Sequence, residues 1–455
     1  MAPSAAATAM SMWLPAQMKA QAISASVLHG PEDLRLETRY ISPPVEGELQ
    51  IAVKSTGICG SDVAYYKNFA NGDLCVCEPL SLGHESSGTV VAVGPQVKGF
   101  KAGDRVALEV GVPCGRCGIC RKGRYNLCRK MRFRSSAKSV PHFQGTLQEK
   151  INHPAAWCHK LPDNISFDAA ALLEPLSVGI RAVHRANPSP GSTALVMGAG
   201  TVGMLTAAMA LQSGCTSVTI ADVDAGRVDY AIQRGFATHG FVVPRPLRLS
   251  PSSASISGGT SISSGTSSPS GMSSPSDTSN SSSSRGSPTP ASSILDSYEE
   301  QLAHARWLAA KLLTIPERAP AAPRQSGDED EDKGVDVAFE CTGKEICMQT
   351  CLYATRAGGK VIMVGMGTPI QTVPMSVAHL REIDILGIFR YANTYATGIR
   401  LLQPQAGGRG PALPSLDDMV THRFKGLAAA KDAFKLAGRT VDDDGKLVLK
   451  VIIEP

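Results

Sequence analysis

Ala194-Leu195-Val196-Met197 runs directly into Gly198-Ala199-Gly200-Thr201-Val202-Gly203, and this stretch decides the fold. Four apolar residues read as a buried strand, and the glycines that follow mark a tight turn into a helix over Thr201 to Gln212. Gly198 permits the turn, Gly200 lets the backbone approach a pyrophosphate, and Gly203 lets the helix pack on the strand. The helix N-terminus adds amide donors and partial positive charge. A second strand, Ser217 to Ala221, ends on Asp222, and a second helix follows over Ala225 to Arg234. A carboxylate at that spacing suits both hydroxyls of an adenosine ribose and repels a 2′-phosphate, so NAD is expected over NADP. Arg227, about one helical turn further on, argues the other way on charge but also suits packing on adenine.

Outward from this unit the alternation of strand and helix resumes at Val335 to Glu340 and Lys360 to Val364, which implies a parallel sheet. Residues from about 20 to 160 read differently. Their short runs, Leu49 to Val53, Ser87 to Val93 and Arg105 to Glu109, are punctuated by Gly and Pro and indicate a barrel-like β domain. Between the two patterned regions of the coenzyme part lies 250–293, with 22 Ser in 44 residues. Such a composition buries too little apolar surface to offset its ordering entropy and reads as disordered. Ile294 to Leu313 has helical apolar spacing, and 317–333 is a polar run containing Asp328-Glu329-Asp330-Glu331-Asp332, read as a solvated linker.

Composition bounds the rest. With 455 residues, two domains are expected, and 45 Lys+Arg against 40 Asp+Glu leave a net charge of +5 that demands neither nucleic acid nor an anionic membrane. No apolar stretch is long enough to span a bilayer, and the Ala- and Met-rich start fits no export signal. Twelve cysteines are too sparse for a disulfide framework. Four of them, Cys114, Cys117, Cys120 and Cys128, form C-x2-C-x2-C-x7-C, which can close a tetrahedral thiolate site around a structural zinc. The alternative is a loop of reduced thiols. The basic residues around this lobe raise nucleic-acid binding, but few aromatics accompany them and a zinc tetrathiolate itself calls for basic neighbours.

A looser set joins Cys59, His84 and Glu85, with Glu174 far along the chain. Singly these residues mean little. Arriving with a dinucleotide site, mixed thiolate, imidazole and carboxylate ligands with one open position suit a catalytic zinc.

Taken together, Gly57 to Asp62, Gly83-His84-Glu85, the four-cysteine lobe, Glu174-Pro175-Leu176-Ser177-Val178-Gly179, Gly198 to Gly203, Phe389-Arg390-Tyr391 and Val420-Thr421-His422-Arg423-Phe424 carry a resemblance. The chain resembles the zinc-containing medium-chain dehydrogenases, and within them the sorbitol, xylitol and L-arabinitol dehydrogenases, from about residue 22 to 453 apart from the two inserts. The resemblance implies an α/β protein. A GroES-like β-barrel catalytic domain would take 21–187 and 385–455, and a Rossmann doubly wound parallel sheet 188–384, with 1–20 a flexible tail.

It further implies one catalytic zinc held by Cys59, His84 and Glu85, with Glu174 holding the water and able to approach the metal, and one structural zinc in the cysteine lobe. Ser61 would sit near the reacting oxygen. Tyr65, Phe133, Glu174, Arg390 and Tyr391 would line the polyol pocket. Asp222 and Arg227 would contact the adenosine ribose, and Val202, Val364, Phe389 and Arg390 the dinucleotide cleft. The expected reaction is oxidation of a polyol to a ketose with NAD, in a cytoplasmic homo-oligomer, dimer or tetramer, without nucleic-acid or membrane partners. Two other readings stand beside it: a zinc dehydrogenase for a different secondary alcohol, and a non-catalytic binding protein of the same fold. Two departures accompany the match: Ala64 stands where the family often has His, and the family lacks the serine-rich insert.

Overall fold

A computed structural model describes residues 20–244, 290–315, 333–405 and 407–455, with backbone only for 290–297. The expected tail, most of the serine-rich insert and nearly all of the acidic linker lie outside the described residues.

Two large sheets organise the chain. The first has seven strands, and its main path runs Cys158–Lys160, Arg105–Leu108, Glu85–Val93, Glu48–Gly57, Lys450–Glu454 and Val420–Lys425, with Lys150–Pro154 pairing on Glu48–Gly57. Its strands are antiparallel except for the parallel pair Val420–Lys425 and Lys450–Glu454. The last strand of the chain thus fills the middle of a sheet begun near residue 48.

The second sheet has six parallel strands in the order His239–Val242, Ser217–Asp222, Thr193–Met197, Val335–Glu340, Thr355–Met363, Asp384–Gly387. This is the doubly wound order whose crevice opens where the chain reverses direction across the sheet, between Thr193–Met197 and Val335–Glu340. The strands are apolar on both faces because helices cover both, and Val196, Val218, Ala338 and Phe339 are fully buried. The expected strand over Lys360 to Val364 is longer and earlier, Thr355–Met363. Asp384–Gly387 pairs with it as the sixth strand of the sheet and runs across position 385, where the catalytic part was expected to resume. The helix expected from Ile294 starts four residues sooner, at Pro290, a residue suited to a first helical turn.

Helix Leu173–Ala186 joins the two halves. It packs on Thr201–Gln212 of the coenzyme half and on Tyr395–Leu402. The close approach depends on Gly179, where a Cβ would lie 3.1 Å from both the Leu205 carbonyl carbon and the Thr206 nitrogen. Because Glu174 occupies the first turn of this helix, its packing fixes where that carboxyl points. Gly179→Val should therefore destabilise the fold by about 1–3 kcal/mol through overpacking, read as a lower urea midpoint. An unchanged midpoint would show that the two helices have room to spare.

Candidate functional site

The register of the first sheet builds a cradle of ligands. Gly57 pairs with Glu85 across Glu48–Gly57 and Glu85–Val93, so Cys59 stands beside His84 and Glu85. A Cβ at Gly57 would collide with Glu85 Oε2, which is why this position is glycine. Cys59 caps helix Gly60–Asn68, and its backbone N–H donates to Asp62 Oδ2 at 3.2 Å. Asp62 Oδ1 lies 3.1 Å from His84 Nδ1 and accepts from Ser135 Oγ at 2.6 Å. That leaves Nε2 of His84 for the cradle, in the carboxylate–imidazole pairing that orients metal-bound histidines.

The ligand atoms of Cys59, His84 and Glu85 all lie within 4.8 Å of one another. Burial opposes the charge of Asp62, yet His84 and Ser135 hold its carboxyl below its ordinary range. Burial likewise opposes a charged His84, but Asp62 and Cys59 raise its pKa well above the usual value. The cradle thus attracts positive charge, and a thiol, an imidazole and a carboxylate form the donor set of a zinc site with one position open.

Glu174 stays outside that cluster of three. It is buried, which pushes its carboxyl up to about 7 against the pull of His84, while Glu85 adds to the rise and Arg390 opposes it. Ser61, at the start of helix Gly60–Asn68, is half-buried, and Ala64 on the same helix provides no proton carrier. Phe133 packs 5.6 Å from the His84 ring, and the Arg390 guanidinium stacks over Phe133 at 3.4 Å from the ring centroid. Arg390 holds a left-handed backbone with φ 51°. Its Nη1 is buried with no hydrogen-bond partner among the described residues, and the buried Tyr391 hydroxyl faces Glu174 and Tyr395 without a close hydrogen bond. Tyr65 is also buried, with its hydroxyl accepting from the Ala137 N–H at 3.3 Å. Arg390, Tyr391 and Phe133 line a cavity of about 10 Å³, room for one water, together with Glu109, Tyr125 and Asn126.

In the coenzyme half, Gly198 adopts φ 103°, and a Cβ on Gly203 would strike the Gly198 carbonyl oxygen. Gly200 caps helix Thr201–Gln212 and faces open space, so the backbone there is free for a phosphate to approach. Val202 is half-buried in the first turn. Asp222 closes strand Ser217–Asp222 and accepts from the Ala199 N–H at 2.7 Å and the Asp224 N–H at 3.0 Å, which ties it to the glycine turn. Arg227 reaches across to the Val448 carbonyl at 3.4 Å, and its buried Nε has no partner among the described residues. Val364 donates its N–H to Glu340 O at 2.8 Å, and Phe389 is partly exposed at 36% beside Arg390. The glycine turn, Asp222 and Val364 lie at the carboxyl ends of the parallel strands, where such sheets bind ligands.

The sulfurs of Cys114, Cys117, Cys120 and Cys128 also lie within 4.8 Å of one another, and all four are free thiols. Backbone N–H groups of Arg116 and Cys117 lower the Cys114 pKa to about 6, while burial pushes Cys120 up to about 12. Amide donors aimed at a sulfur stabilise the thiolate that binds metal, so this lobe fits a closed zinc site.

Residues 45–163 match the alcohol dehydrogenase GroES-like domain family, and residues 294–403 match the zinc-binding dehydrogenase family. Human sorbitol dehydrogenase is 35% identical over 410 residues, covering 90% of this chain and 91% of that protein. The L-idonate 5-dehydrogenase of Vitis vinifera is 33% identical over 417 residues, covering 91% of each. Among solved structures, an Escherichia coli oxidoreductase/dehydrogenase of unknown specificity superimposes with a TM-score of 0.69 at 26% identity, covering 95% of this chain and 99% of that one. The chain belongs to the zinc-containing medium-chain dehydrogenases, in their polyol dehydrogenase branch. Among the described residues no helix is long and apolar enough to cross a membrane.

Sequence reading gave no separate role to Asp62, although it lay inside the quoted Gly57 to Asp62 stretch, and passed over Lys450 and Glu109. Glu109 is buried, accepts from Tyr125 Oη at 2.5 Å and lies 2.9 Å from His159 Nε2. Tyr125 Oη in turn accepts from the Asn393 N–H, and Asn126 donates to the Phe389 carbonyl, each at 2.7 Å. The cysteine lobe thereby grips the segment that presents Arg390 and Tyr391. Cys117→Ser should lower zinc content from about two equivalents per chain to about one and reduce the melting temperature. Two equivalents retained, measured by atomic emission on the purified protein, would remove the lobe as a metal site.

Proposed function

We propose that the chain oxidises a secondary alcohol of a polyol to the ketone of a ketose, passing hydride to NAD and a proton to solvent. The observation that carries this reading is the cradle of Cys59, His84 and Glu85, with Arg390 stacked on Phe133 beside His84 and the buried Glu174 carboxyl facing both His84 and Arg390. A chain with a hydroxyl on every carbon satisfies several fixed donors at once, whereas a simple alcohol leaves them unpaired. The relatives named for sorbitol and L-idonate point to the same substrate class.

In this reading Cys59, His84 and Glu85 hold a catalytic zinc, and the thiolate lobe holds a structural one. When bound, zinc supplies Lewis acidity toward the alcohol oxygen and NAD supplies the hydride acceptor. The chain's own residues do the rest. The hydroxyl proton leaves through Ser61, which gives up its own proton as it accepts, or by way of Glu174, a buried carboxyl whose pKa burial raises. Arg390, Tyr391, Tyr65 and Phe133 orient the polyol so that one carbinol hydrogen faces the coenzyme cleft. Gly198, Gly200 and Gly203 take the pyrophosphate, and Asp222 the adenosine ribose beside Arg227. Val202, Val364 and Phe389 shape the cleft around the coenzyme.

Homo-oligomerisation is supported by the sheet edge at Asp384–Gly387 and by exposed Met366 and Ile370, at 73% and 84%. Twelve free cysteines fit a reducing cytoplasm.

NADH formation measured on sorbitol, xylitol, L-arabinitol, ribitol and 2-propanol, each with NAD and with NADP, tests the reading. Turnover is expected on at least one polyol with NAD. Turnover confined to 2-propanol would point to a different alcohol class, and silence of folded, zinc-replete protein to a binding role. Arg390→Ala should raise KM for the polyol about ten- to a hundredfold, the loss of charge-assisted hydrogen bonds. Asp222→Ala should narrow the preference for NAD over NADP by about tenfold or more, and an unmoved ratio would count against its ribose contact.

A further inference from the structure

Asn126 of the cysteine lobe holds the backbone that leads into Arg390. It is 3% exposed and donates from Nδ2 to the Phe389 carbonyl at 2.7 Å. The Arg390 backbone itself is left-handed, φ 51°, a conformation that residues other than glycine keep only when their surroundings fix them. The bond to Phe389 also settles which way the Asn126 amide faces, because with Nδ2 on that carbonyl Oδ1 points elsewhere. Oδ1 is buried with no hydrogen-bond partner among the described residues, and so is Arg390 Nη1. Asn126 and Arg390 line the same cavity of about 10 Å³, whose other walls include Met131, Phe133 and Glu109.

One of these two atoms is an acceptor and the other a donor, and the space they share suits a single water. We propose that one water there accepts from Arg390 Nη1 and donates to Asn126 Oδ1, which makes Asn126 a positioning residue for the guanidinium. Glu109 offers an acceptor for the second water hydrogen, giving the three partners that a buried water ordinarily has. Stacking on Phe133, at 3.4 Å from the ring centroid, fixes the plane of the guanidinium but not its rotation within that plane, because a ring face attracts a cation without directing its edges. A hydrogen bond at Nη1 removes that freedom and leaves the remaining N–H groups of Arg390 fixed toward the polyol. Part of the grip on substrate is then set from the cysteine lobe, since Asn126 lies between Cys120 and Cys128. The inference rests on the reading of Arg390 as a polyol contact.

A high-resolution crystal structure of the zinc- and NAD-loaded chain is the direct test and needs no variant. Density for one ordered water about 2.7–3.2 Å from both Nη1 and Oδ1 is expected. A cavity without that density, or a direct bond between the two side chains, overturns the proposal. The kinetic arm fills the cavity without touching a polar partner. Gly111 lines it, and a Cβ there would lie 3.2 Å from Met131 Sδ and 3.3 Å from Phe133 Cδ2, so Gly111→Ala places a methyl among the cavity walls. This variant is expected to raise KM for the polyol about three- to tenfold with kcat within about twofold, the loss of one orienting hydrogen bond.

A purely structural Asn126 leaves KM unmoved in Gly111→Ala, where its bond to Phe389 is untouched, and that result overturns the proposal. Because the methyl can also shift Phe133, the pair Asn126→Leu and Asn126→Asp provides a second measurement. Leucine removes both bonds, whereas aspartate keeps an oxygen facing the water, so KM is expected to rise further in Asn126→Leu than in Asn126→Asp. A rise in Asn126→Asp that equals or exceeds that in Asn126→Leu overturns the proposal, since loss of the bond to Phe389 then accounts for the whole effect. If Arg390→Ala leaves the polyol KM unmoved, the polyol reading itself falls and the role of Asn126 falls with it. A raised KM in Arg390→Ala with an unmoved KM in Gly111→Ala removes the water alone.

Discussion

The pairing of Gly57 with Glu85 is the constraint from which the site follows. A shift of one residue in that register would turn every side chain of one strand to the opposite face, moving Glu85 away from Cys59 and His84 together. Gly57 enforces the pairing sterically, since its missing Cβ is the space the carboxylate occupies. Asp62 then reads both ends of the arrangement at once, accepting from the Cys59 backbone and facing His84 Nδ1. A carboxylate, an imidazole and a thiol are thus assembled by one strand pair and one helix N-terminus, all of them buried or half-buried. Cys59 and His84 stand in short connections directly against these elements, which hold them in place.

The coenzyme half meets this cradle through helix Leu173–Ala186. Its apolar face joins Thr201–Gln212 of the coenzyme half to Tyr395–Leu402, and the Tyr395 hydroxyl donates to the Leu108 carbonyl at 2.8 Å in the first sheet. Glu174 sits at the helix start, in a setting dry enough to push its carboxyl up to about 7. Arg390 and Tyr391 approach from the segment after the sixth parallel strand, gripped by Tyr125 and Asn126 of the cysteine lobe. The pocket is therefore a meeting of three separately anchored pieces, each with its own source of rigidity.

Much of the parallel sheet was legible because its signals are local. Thr201–Gln212 and Val335–Glu340 have the bounds that periodicity predicts, and the glycine turn at Gly198 carries its own steric reason. Strand ends were less legible: Thr355–Met363 begins with Thr355 paired to Val335, and Arg356 to Gly359, which read as a turn, form an irregularity before pairing resumes at Lys360. The four cysteines announced their cluster by spacing alone, and all four sulfurs do converge. Cys59, His84 and Glu85 were legible only as a set, through resemblance, because a Cys and a His 25 positions apart carry no periodic signal.

What the sequence by itself determined is whatever rests on neighbours along the chain: the glycine turn between strand and helix, the helical spacing, the four-cysteine cluster and the polar character of the inserts. Tertiary structure alone decided which distant groups share a charge. Lys450 and Glu85 are 365 residues apart, and only the return of the last strand into the first sheet makes them an ion pair. The Arg390 Nη1, without a partner among the described residues, likewise becomes a binding feature only once packing has taken it from water. Burial and pairing are properties of the folded whole, because the dielectric and the partners of a side chain are set by everything packed around it.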